Sequence, residues 1–310
     1  MSTATTQERS THVSTIATDN AEQQAGAVAP AHPKADGLYA PGRTKEETQR
    51  LIEQSDIYRV STRRLFEDAG ITTGMKVLDV GSGAGDVALL AADLVGPTGS
   101  VVGVDVNPGI LETAQARASA AGLANVTFRA GDFRALPLAD DFDAVVGRFV
   151  LMYVADPAAA LRSLAAHLRP GGIVIFQEID LGLAQAFTAY VGASPLARRM
   201  AEWGAELYRR TGAHADMGVR LFGAYQEAGL PAPQLSLFAP MGGGADWAGY
   251  AYATASYRSL LPLLEKFGIA TADDVGVDTL ADRLRADVVA THLPGILNPV
   301  VGTWAKTHLS

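Results

Sequence analysis

The sequence KVLDVGSGAGD at residues 76–86 constrains the fold of this chain more than any other stretch. Val77, Leu78 and Val80 form a short apolar run that stops at a glycine-rich segment, which is typical of a buried strand entering a tight turn. Glycine allows positive φ and has no Cβ, so backbone N–H groups can approach a bound molecule at the start of the next helix. The sequence therefore predicts a ligand-binding turn between a strand and a helix.

The spacing of the glycines narrows the choice of ligand. A dinucleotide-binding fingerprint reads G-x-G-x-x-G, but here Gly85 comes one residue early and Asp86 stands in the expected place. A nucleotide-binding oxidoreductase is therefore the least favoured alternative. The pattern D-x-G-x-G-x-G, which begins at Asp79, resembles motif I of the class I S-adenosylmethionine-dependent methyltransferases, in particular the small-molecule enzymes with a UbiE-like core. The resemblance extends over about residues 70–180.

An acidic residue follows at a position suited to a ribose. Residues 100–105, SVVGVD, predict a second buried strand, and Asp105 ends it 24 residues after Gly81. This distance is close to the ~20-residue offset at which an acidic side chain meets a ribose hydroxyl in Rossmann-type sites. A helix-capping role is the alternative for Asp105, but Asn107 and Pro108 already supply a helix start.

Two later strand ends complete the predicted cofactor site. The resemblance implies that Asp132 and Phe133 contact the adenine, and that Gly147 and Arg148 lie at the methionine end of the cofactor. An ordinary Gly-Asp turn and a surface ion pair of Arg148 are the alternatives. The predicted cofactor-binding residues are Asp79, Gly81, Ser82, Gly83, Gly85, Asp105, Val106, Asp132, Phe133, Gly147 and Arg148.

The predicted fold class is α/β, a Rossmann-like seven-stranded, mostly parallel sheet with helices on both faces and a helical cap. Residues 300–306 predict the last strand, antiparallel beside a strand at 234–238, and a helix is expected at 221–228. The expected organisation is a disordered tail (1–36), N-terminal cap helices (37–70), a cofactor-binding core (71–180), and a C-terminal part (181–310) that carries helical lid insertions at 181–217 and 242–297.

The cap is the expected place for the methyl acceptor, because its aromatic residues could line an apolar pocket. The same residues could instead form the core of the cap itself. Gln54 is a further candidate on the N-terminal helix. The predicted substrate-contacting residues are Tyr39, Tyr58, Tyr153, Tyr250, Tyr257 and His292.

The chemistry implied by the resemblance is transfer of an activated methyl group to a small, largely apolar metabolite, by C- or O-methylation. A carbon acid requires proton removal, and His214 and Glu178 are the predicted bases, with His292 third. These three side chains could also hold a metal, but no short ligand spacing supports a metal site. The alternative function is an S-adenosylmethionine-binding enzyme of the same fold that catalyses a rearrangement or a cyclisation.

The composition restricts the partners. A formal net charge of −8 argues against a nucleic-acid or anionic-membrane partner, so a small-molecule substrate is expected, and a homodimer is compatible with these features. The chain has no cysteine, which excludes disulfides and thiolate metal sites and suits a reducing compartment. Neither a signal peptide nor a run of about eighteen apolar residues is recognised, so a cytoplasmic location is expected.

Overall fold

The computed structural model describes residues 45–138 and 141–308. The predicted tail at 1–36 and the candidate Tyr39 lie outside the described residues. Within the described ranges, no helix is long and apolar enough to cross a membrane.

The strands form one large sheet and one small ribbon. Five strands of the large sheet pair in parallel, so their carboxyl ends share one edge. The strands are β1 (Lys76–Val80), β2 (Ser100–Asp105), β3 (Val126–Ala130), β4 (Phe142–Arg148), β5 (Leu168–Ile179), β6 (Gln234–Phe238), β7 (Met241–Gly242), β8 (Gly295–Ile296) and β9 (Val300–Lys306). The order in the seven-stranded sheet is β3-β2-β1-β4-β5-β9-β6, and β7 pairs with β8.

The last two strands of the large sheet confirm the predicted arrangement. β9 runs antiparallel to both β5 and β6, and it lies between them. The chain reaches this position only after the long segment that separates β6 from β9. The predicted seven-stranded, mostly parallel sheet is therefore confirmed.

Helices cover both faces of this sheet. They are α1 (Lys45–Ala69), α2 (Asp86–Val95), α3 (Pro108–Ala120), α4 (Pro157–Ala165), α5 (Leu181–Tyr190), α6 (Pro195–Arg210), α7 (Met217–Glu227), α8 (Gly249–Lys266), α9 (Ala272–Val275) and α10 (Leu280–Thr291). α3 begins as expected, because the Asn107 side chain accepts the Gly109 N–H at 3.1 Å and Pro108 opens the helix. The Asp156 carboxylate caps α4 in the same way, by accepting the Ala159 N–H at 2.8 Å.

The alternation of side chains along the strands creates two cores. Leu78 packs with residues of α4 and α7 on one face of the sheet, whereas its neighbour Val77 packs with residues of α1 and α2 on the other. A third core lies in the cap, where Trp203, Leu207 and Leu264 join α6 to α8. The inserted segments 181–217 and 242–297 therefore contain helices with a core of their own.

The sequence also predicts a turn at residues 170–172 and a helix from Pro157 to His167. The structure corrects both of these boundaries and the predicted start of the helix at 221–228. The predicted turn at 170–172 belongs to β5, which begins at Leu168: β4 advances from Phe142 to Ala144 while β5 advances from Leu168 to Ile173. The additional residues form an irregularity at Gly171, whose φ of 76° glycine tolerates. α4 ends at Ala165 rather than at His167, and α7 begins at Met217, before the predicted residue 221.

Candidate active site

The glycine-rich turn lies at the carboxyl end of β1, and its three glycines have different surroundings. Gly81, Gly83 and Gly85 all have positive φ, at 65°, 51° and 86°. A Cβ on Gly81 would lie 2.5 Å from Val150 Cγ2, and one on Gly85 would lie 3.0 Å from the Cβ of Ala114. A Cβ on Gly83 would meet nothing within 4 Å. Packing therefore explains Gly81 and Gly85, whereas Gly83 borders open space where a ligand can approach.

Asp105 joins the end of β2 to this turn. Its carboxylate accepts the Gly83 N–H at 2.9 Å and the Asn107 N–H at 2.8 Å. A carboxylate offers about four acceptor positions, so one carboxylate can accept from backbone N–H groups and from ribose hydroxyls together. Asp105 therefore stands at the place that the 24-residue spacing indicates.

Arg117 supports the same turn and was missed from the sequence. This α3 side chain donates from Nη1 to the Ala84 carbonyl at 2.6 Å and from Nη2 to the Asp86 carboxylate at 2.6 Å. The contact crosses 31 residues of sequence, and no motif marks it. The pair with Asp86 also explains why an acid can replace the glycine of a dinucleotide fingerprint here.

Buried polar groups lie beneath the turn. Asp79 is 1% exposed, and neither of its carboxylate oxygens has a hydrogen-bond partner of ordinary geometry within the described residues; the same holds for Ser82 Oγ. Burial raises the pKa of Asp79, and the charge of Arg148 opposes that rise. Polar groups left unpaired in this way point to a polar ligand or to water at the turn.

Arg148 lies at the end of β4, directed at this buried region. It donates from Nη1 to Thr62 Oγ1 of α1 at 3.1 Å. Burial lowers the pKa of Arg148, whereas the charges of Asp86 and Asp79 raise it. The alternative of a surface ion pair is therefore wrong, because the acids that influence Arg148 are those of the turn.

The predicted adenine side is less open than expected. The Asp132 carboxylate accepts the Arg134 backbone N–H at 3.0 Å and its Nε–H at 2.8 Å, and Arg134 lowers the pKa of Asp132. Phe133 is buried in the sheet core, in the cluster that contains Val104. Adenine contact by Asp132 and Phe133 stays a prediction, and an adenine amine at Asp132 would share the carboxylate with Arg134.

Two other predicted cofactor residues differ in exposure. Val106, directly after β2, is 47% exposed. Gly147 is buried, and a Cβ there would lie 2.5 Å from Phe176 Cε1, so packing by itself requires a glycine. Both stand at the carboxyl edge of the sheet, and their contact with the cofactor stays a prediction.

These features together fit S-adenosylmethionine. The open space beside Gly83 admits the nucleoside, the carboxylate of Asp105 suits its hydroxyls, and the acidic groups at the turn suit its cationic charges. Asp79, whose buried carboxylate oxygens have no hydrogen-bond partner of ordinary geometry within the described residues, and Arg148, at the end of β4, are the residues that would hold the amino-acid end. The residues of this edge are therefore suited to the cofactor.

The prediction of Glu178 as a catalytic base is wrong. Its side chain is 0% exposed, and Oε1 accepts the N–H groups of Val150 at 3.0 Å and Leu151 at 2.8 Å, while Oε2 accepts that of Met152 at 3.4 Å. Burial raises the pKa of Glu178 to about 7, against the lowering effect of these N–H groups. A carboxylate so enclosed holds a backbone turn and cannot reach an acceptor.

His214 remains accessible at the same edge. Its Nε2 lies 3.0 Å from the Val154 carbonyl, and its backbone N–H donates to the Met152 carbonyl at 2.8 Å. A carbonyl only accepts, so this geometry assigns the proton to Nε2 and leaves Nδ1 as the basic nitrogen. Within the described residues, no group of His, Cys, Asp and Glu side chains could hold a metal ion.

Two predicted substrate residues do not face an acceptor site. Tyr58 is fully buried, donates its hydroxyl to the Asn298 carbonyl at 2.9 Å, and packs edge-on against Phe149 at 5.3 Å. His292 is exposed and ends α10 in a left-handed conformation with φ 55°. Both assignments are corrected: the first residue belongs to the core, and the second to a helix end.

The other candidates lie in the cap, except Tyr153, which lies in the turn that follows β4. Tyr250 donates to the Gly244 carbonyl at 2.9 Å, and Tyr257 donates to the Met200 carbonyl, so both hydroxyls are engaged within the protein. Tyr153 packs near Tyr208, with ring centroids 6.2 Å apart. Gln54 donates to the Tyr252 hydroxyl at 3.0 Å and thereby joins α1 to α8.

The cap encloses a cavity of about 140 Å³ between α5, α6, α8, α10 and residues 293–298. Ten of its 25 lining residues are alanine or aromatic, including Ala197, Ala253, Trp247, Tyr250, Tyr252 and Tyr257, and Ser256 and Asp287 add polar groups to the wall. Of the six predicted substrate residues, Tyr250 and Tyr257 line this cavity, whereas Tyr58, Tyr153 and His292 do not, and Tyr39 lies outside the described residues.

Comparisons with known proteins agree with this geometry. A family model described as a methyltransferase domain matches residues 71–217. The chain is 36% identical to the ubiquinone/menaquinone biosynthesis C-methyltransferase UbiE of Pseudomonas putida over 172 residues, which cover 53% of this chain and 67% of that protein. The homologue of Pseudomonas entomophila is 35% identical over the same shares.

A solved structure supports the fold. The YcgJ protein of Bacillus subtilis superposes with a TM-score of 0.54 at 18% identity, covering 81% of this chain and 100% of that one. The glycine turn, the strand order and the similarity to the C-methyltransferases lead to one assignment. The chain belongs to the class I S-adenosylmethionine-dependent methyltransferases, and S-adenosylmethionine is its cofactor.

Proposed function

We propose that this methyltransferase transfers the methyl group to a carbon atom of a small, apolar, ring-bearing acceptor. The observation that carries this proposal is the 36% identity to proteins named as C-methyltransferases of quinone biosynthesis. The apolar cavity in the cap supports it, because an acceptor without charge needs a pocket of this chemistry. The non-methylating alternative has no comparable support.

The cavity matches a single ring in size. Its volume of about 140 Å³ is close to the ~150 Å³ at which an apolar protein cavity holds a benzene-sized ligand. Helix α1 relates the cavity to the cofactor edge: its Gln54 donates to the hydroxyl of Tyr252, which lines the cavity, and its Thr62 accepts from Arg148 at the end of β4. The acceptor ring would therefore lie in the cap with its reacting carbon towards that edge.

The bound cofactor supplies an electrophilic sulfonium methyl group. The chain must align the acceptor carbon with that methyl, exclude water, and take up the proton that the carbon loses when its new C–C bond forms. His214 is the proposed base, since its Nδ1 is the nitrogen left basic by the Val154 contact. Apolar cap walls contribute the exclusion of water.

The product of a labelled reaction tests this proposal. The enzyme is incubated with ¹³C-methyl-labelled S-adenosylmethionine and a panel of phenolic, quinol, terpenoid and polyketide acceptors. We expect a product whose labelled methyl is bonded to carbon by NMR. A product that carries the label in a methoxy group would show O-methylation and contradict the proposed C-methylation. An isomerised acceptor with unconsumed cofactor would establish the non-methylating alternative.

A second test addresses the base. His214→Ala should lower turnover while leaving the affinity for S-adenosylhomocysteine nearly unchanged, because a group that acts on the acceptor contributes to the transition state only. Full turnover of this variant would contradict the assignment of His214. Calorimetry with S-adenosylmethionine, S-adenosylhomocysteine and NAD verifies the cofactor independently, and NAD should give no binding signal.

The remaining features of the proposed function concern its setting. The net charge of −8 supports a small-molecule acceptor without a nucleic-acid partner, and the absence of cysteine supports a cytoplasmic location. The homodimer also stays a prediction. Light scattering of the purified enzyme tests the homodimer, and salt-dependent binding assays with DNA and RNA test the expectation that no nucleic acid binds.

A further inference from the structure

The Glu178 carboxylate faces one short segment of the active-site edge. Its oxygens accept three consecutive N–H groups, those of Val150, Leu151 and Met152, at 3.0, 2.8 and 3.4 Å. Val150 precedes the short 3₁₀ turn Leu151–Tyr153, and Leu151 and Met152 begin it; Phe149 and Val150 separate this turn from the end of β4. Glu178 therefore satisfies backbone donors that the turn cannot satisfy internally.

The segment begins with an unusual backbone conformation. Phe149 has φ 61°, in the left-handed region that a residue with a large side chain seldom adopts. Its N–H donates to the Gln177 carbonyl at 2.9 Å, next to Glu178 in the chain. Such a conformation persists only when the surrounding contacts enforce it, and it often marks a functional site.

The same segment touches both the cofactor turn and the proposed base. The Val150 side chain occupies the space beside Gly81, where a Cβ would lie 2.5 Å from Cγ2. Beyond it, the Met152 carbonyl accepts the His214 backbone N–H at 2.8 Å, and the Val154 carbonyl lies 3.0 Å from His214 Nε2. The buried carboxylate of Glu178 thus binds a segment that contacts the glycine turn through Val150 and contacts His214 through Met152 and Val154.

We propose that Glu178 is a positioning residue: it holds residues 149–154 so that the glycine turn and His214 keep a fixed relation to each other. The part that concerns His214 rests on the proposed function, whereas the part that concerns the glycine turn does not. Binding of S-adenosylhomocysteine therefore tests the proposal without an acceptor, and its failure is distinguishable from a failure of C-methylation.

Three substitutions separate positioning from mere stability. Glu178→Gln keeps a side-chain oxygen that can accept from Val150 and Leu151, so its affinity for S-adenosylhomocysteine should stay within about 3-fold of the wild type. Glu178→Leu leaves the N–H groups without an acceptor and should weaken binding at least about 10-fold. Thr303→Val is the matched control, because Thr303 is equally buried on the adjacent β9, where its hydroxyl donates to the Phe176 carbonyl and hydrogen-bonds Tyr225 rather than residues 150–152.

Calorimetry, thermal unfolding and amide hydrogen exchange are measured on all variants. We expect Thr303→Val to lower Tm without a change in affinity, and Glu178→Leu to lower affinity and to speed exchange at residues 150–152. Glu178→Asp, whose shorter side chain withdraws the carboxylate, serves if the leucine variant does not fold. The proposal would be overturned if Glu178→Leu or Glu178→Asp sped exchange at residues 150–152 but bound S-adenosylhomocysteine as tightly as the wild type. Unchanged exchange at these residues in both variants would overturn it too.

Discussion

At the scale of the residue, Asp105 has two tasks that one substitution would remove together. Its carboxylate holds the Gly83 N–H at 2.9 Å and stands where the ribose hydroxyls are expected. Hydrogen bonds to a charged group contribute ~1.5 to 3 kcal/mol each, so Asp105→Ala should weaken S-adenosylhomocysteine binding by more than about 10-fold in calorimetry. Asp156→Ala, which removes the cap of α4, should lower stability by ~1 kcal/mol and leave that affinity unchanged. Equal affinities of both variants would place the ribose elsewhere.

Glu178 also predicts how stability depends on pH. Burial raises its pKa from an ordinary 4.5 to about 7. Between these two values the folded protein binds more protons than the unfolded chain, so the unfolding free energy should fall as pH rises from 4.5 to 7. The fall should amount to roughly 3 kcal/mol. Urea unfolding at several pH values measures it, and Glu178→Gln should remove this component of the slope. A slope that persists in that variant would belong to other groups.

At the scale of the element, the glycines of the turn between β1 and α2 have different roles: Gly81 is required by packing, and Gly83 by the approach of a ligand. Gly81→Ala places a Cβ against Val150 and should cost on the order of 1 to 3 kcal/mol in urea unfolding. Val150→Ala in the same chain should restore part of this loss, since it removes the methyl groups involved. Gly83→Ala meets no neighbour and bears only the cost of its positive φ, but it should weaken S-adenosylhomocysteine binding. Unchanged affinity in Gly83→Ala would show that the cofactor does not cover this glycine.

Several strands and helix starts were predictable because their signals are local, whereas the starts of β5 and α7 were not. Apolar runs such as Val77, Leu78 and Val80 indicate buried strands, and Asn107 before Pro108 indicates a helix start. The tasks of Glu178 and Tyr58 were not predictable, because their partners lie 27 and 240 residues away, at Leu151 and Asn298. The local sequence of an acidic residue at a strand end is the same whether its side chain faces solvent or binds a backbone turn. Only the tertiary structure distinguishes these two cases.

At the scale of the whole molecule, the cofactor residues and the cap cavity lie on different parts of the chain. The sheet presents the cofactor turn and Arg148 at one edge, and helices from three separate segments of the chain, α1, α5–α6 and α8–α10, lie near that edge. The bond between Gln54 and Tyr252 ties the first of these segments to the third. Substrate choice can therefore change with the inserted helices while the cofactor contacts stay on the strands.

The cap cavity gives the prediction that belongs to this scale. Ala253 lines the cavity, and Ala251, two residues away on α8, is exposed and does not line it. Ala253→Leu should fill part of the ~140 Å³, raise the acceptor KM at least about 5-fold, and leave S-adenosylhomocysteine affinity unchanged, whereas Ala251→Leu should change neither quantity.

Toluene provides a readout that does not depend on the identity of the acceptor. An apolar cavity of this size binds a single aromatic ring, so toluene should raise the Tm of the wild type and of Ala251→Leu, but not that of Ala253→Leu. If toluene protected all three proteins equally, the ring would bind elsewhere. If the acceptor KM of Ala253→Leu stayed at the wild-type value, the cavity would be a packing defect of the cap core, and the acceptor would have to reach the sheet edge by another route.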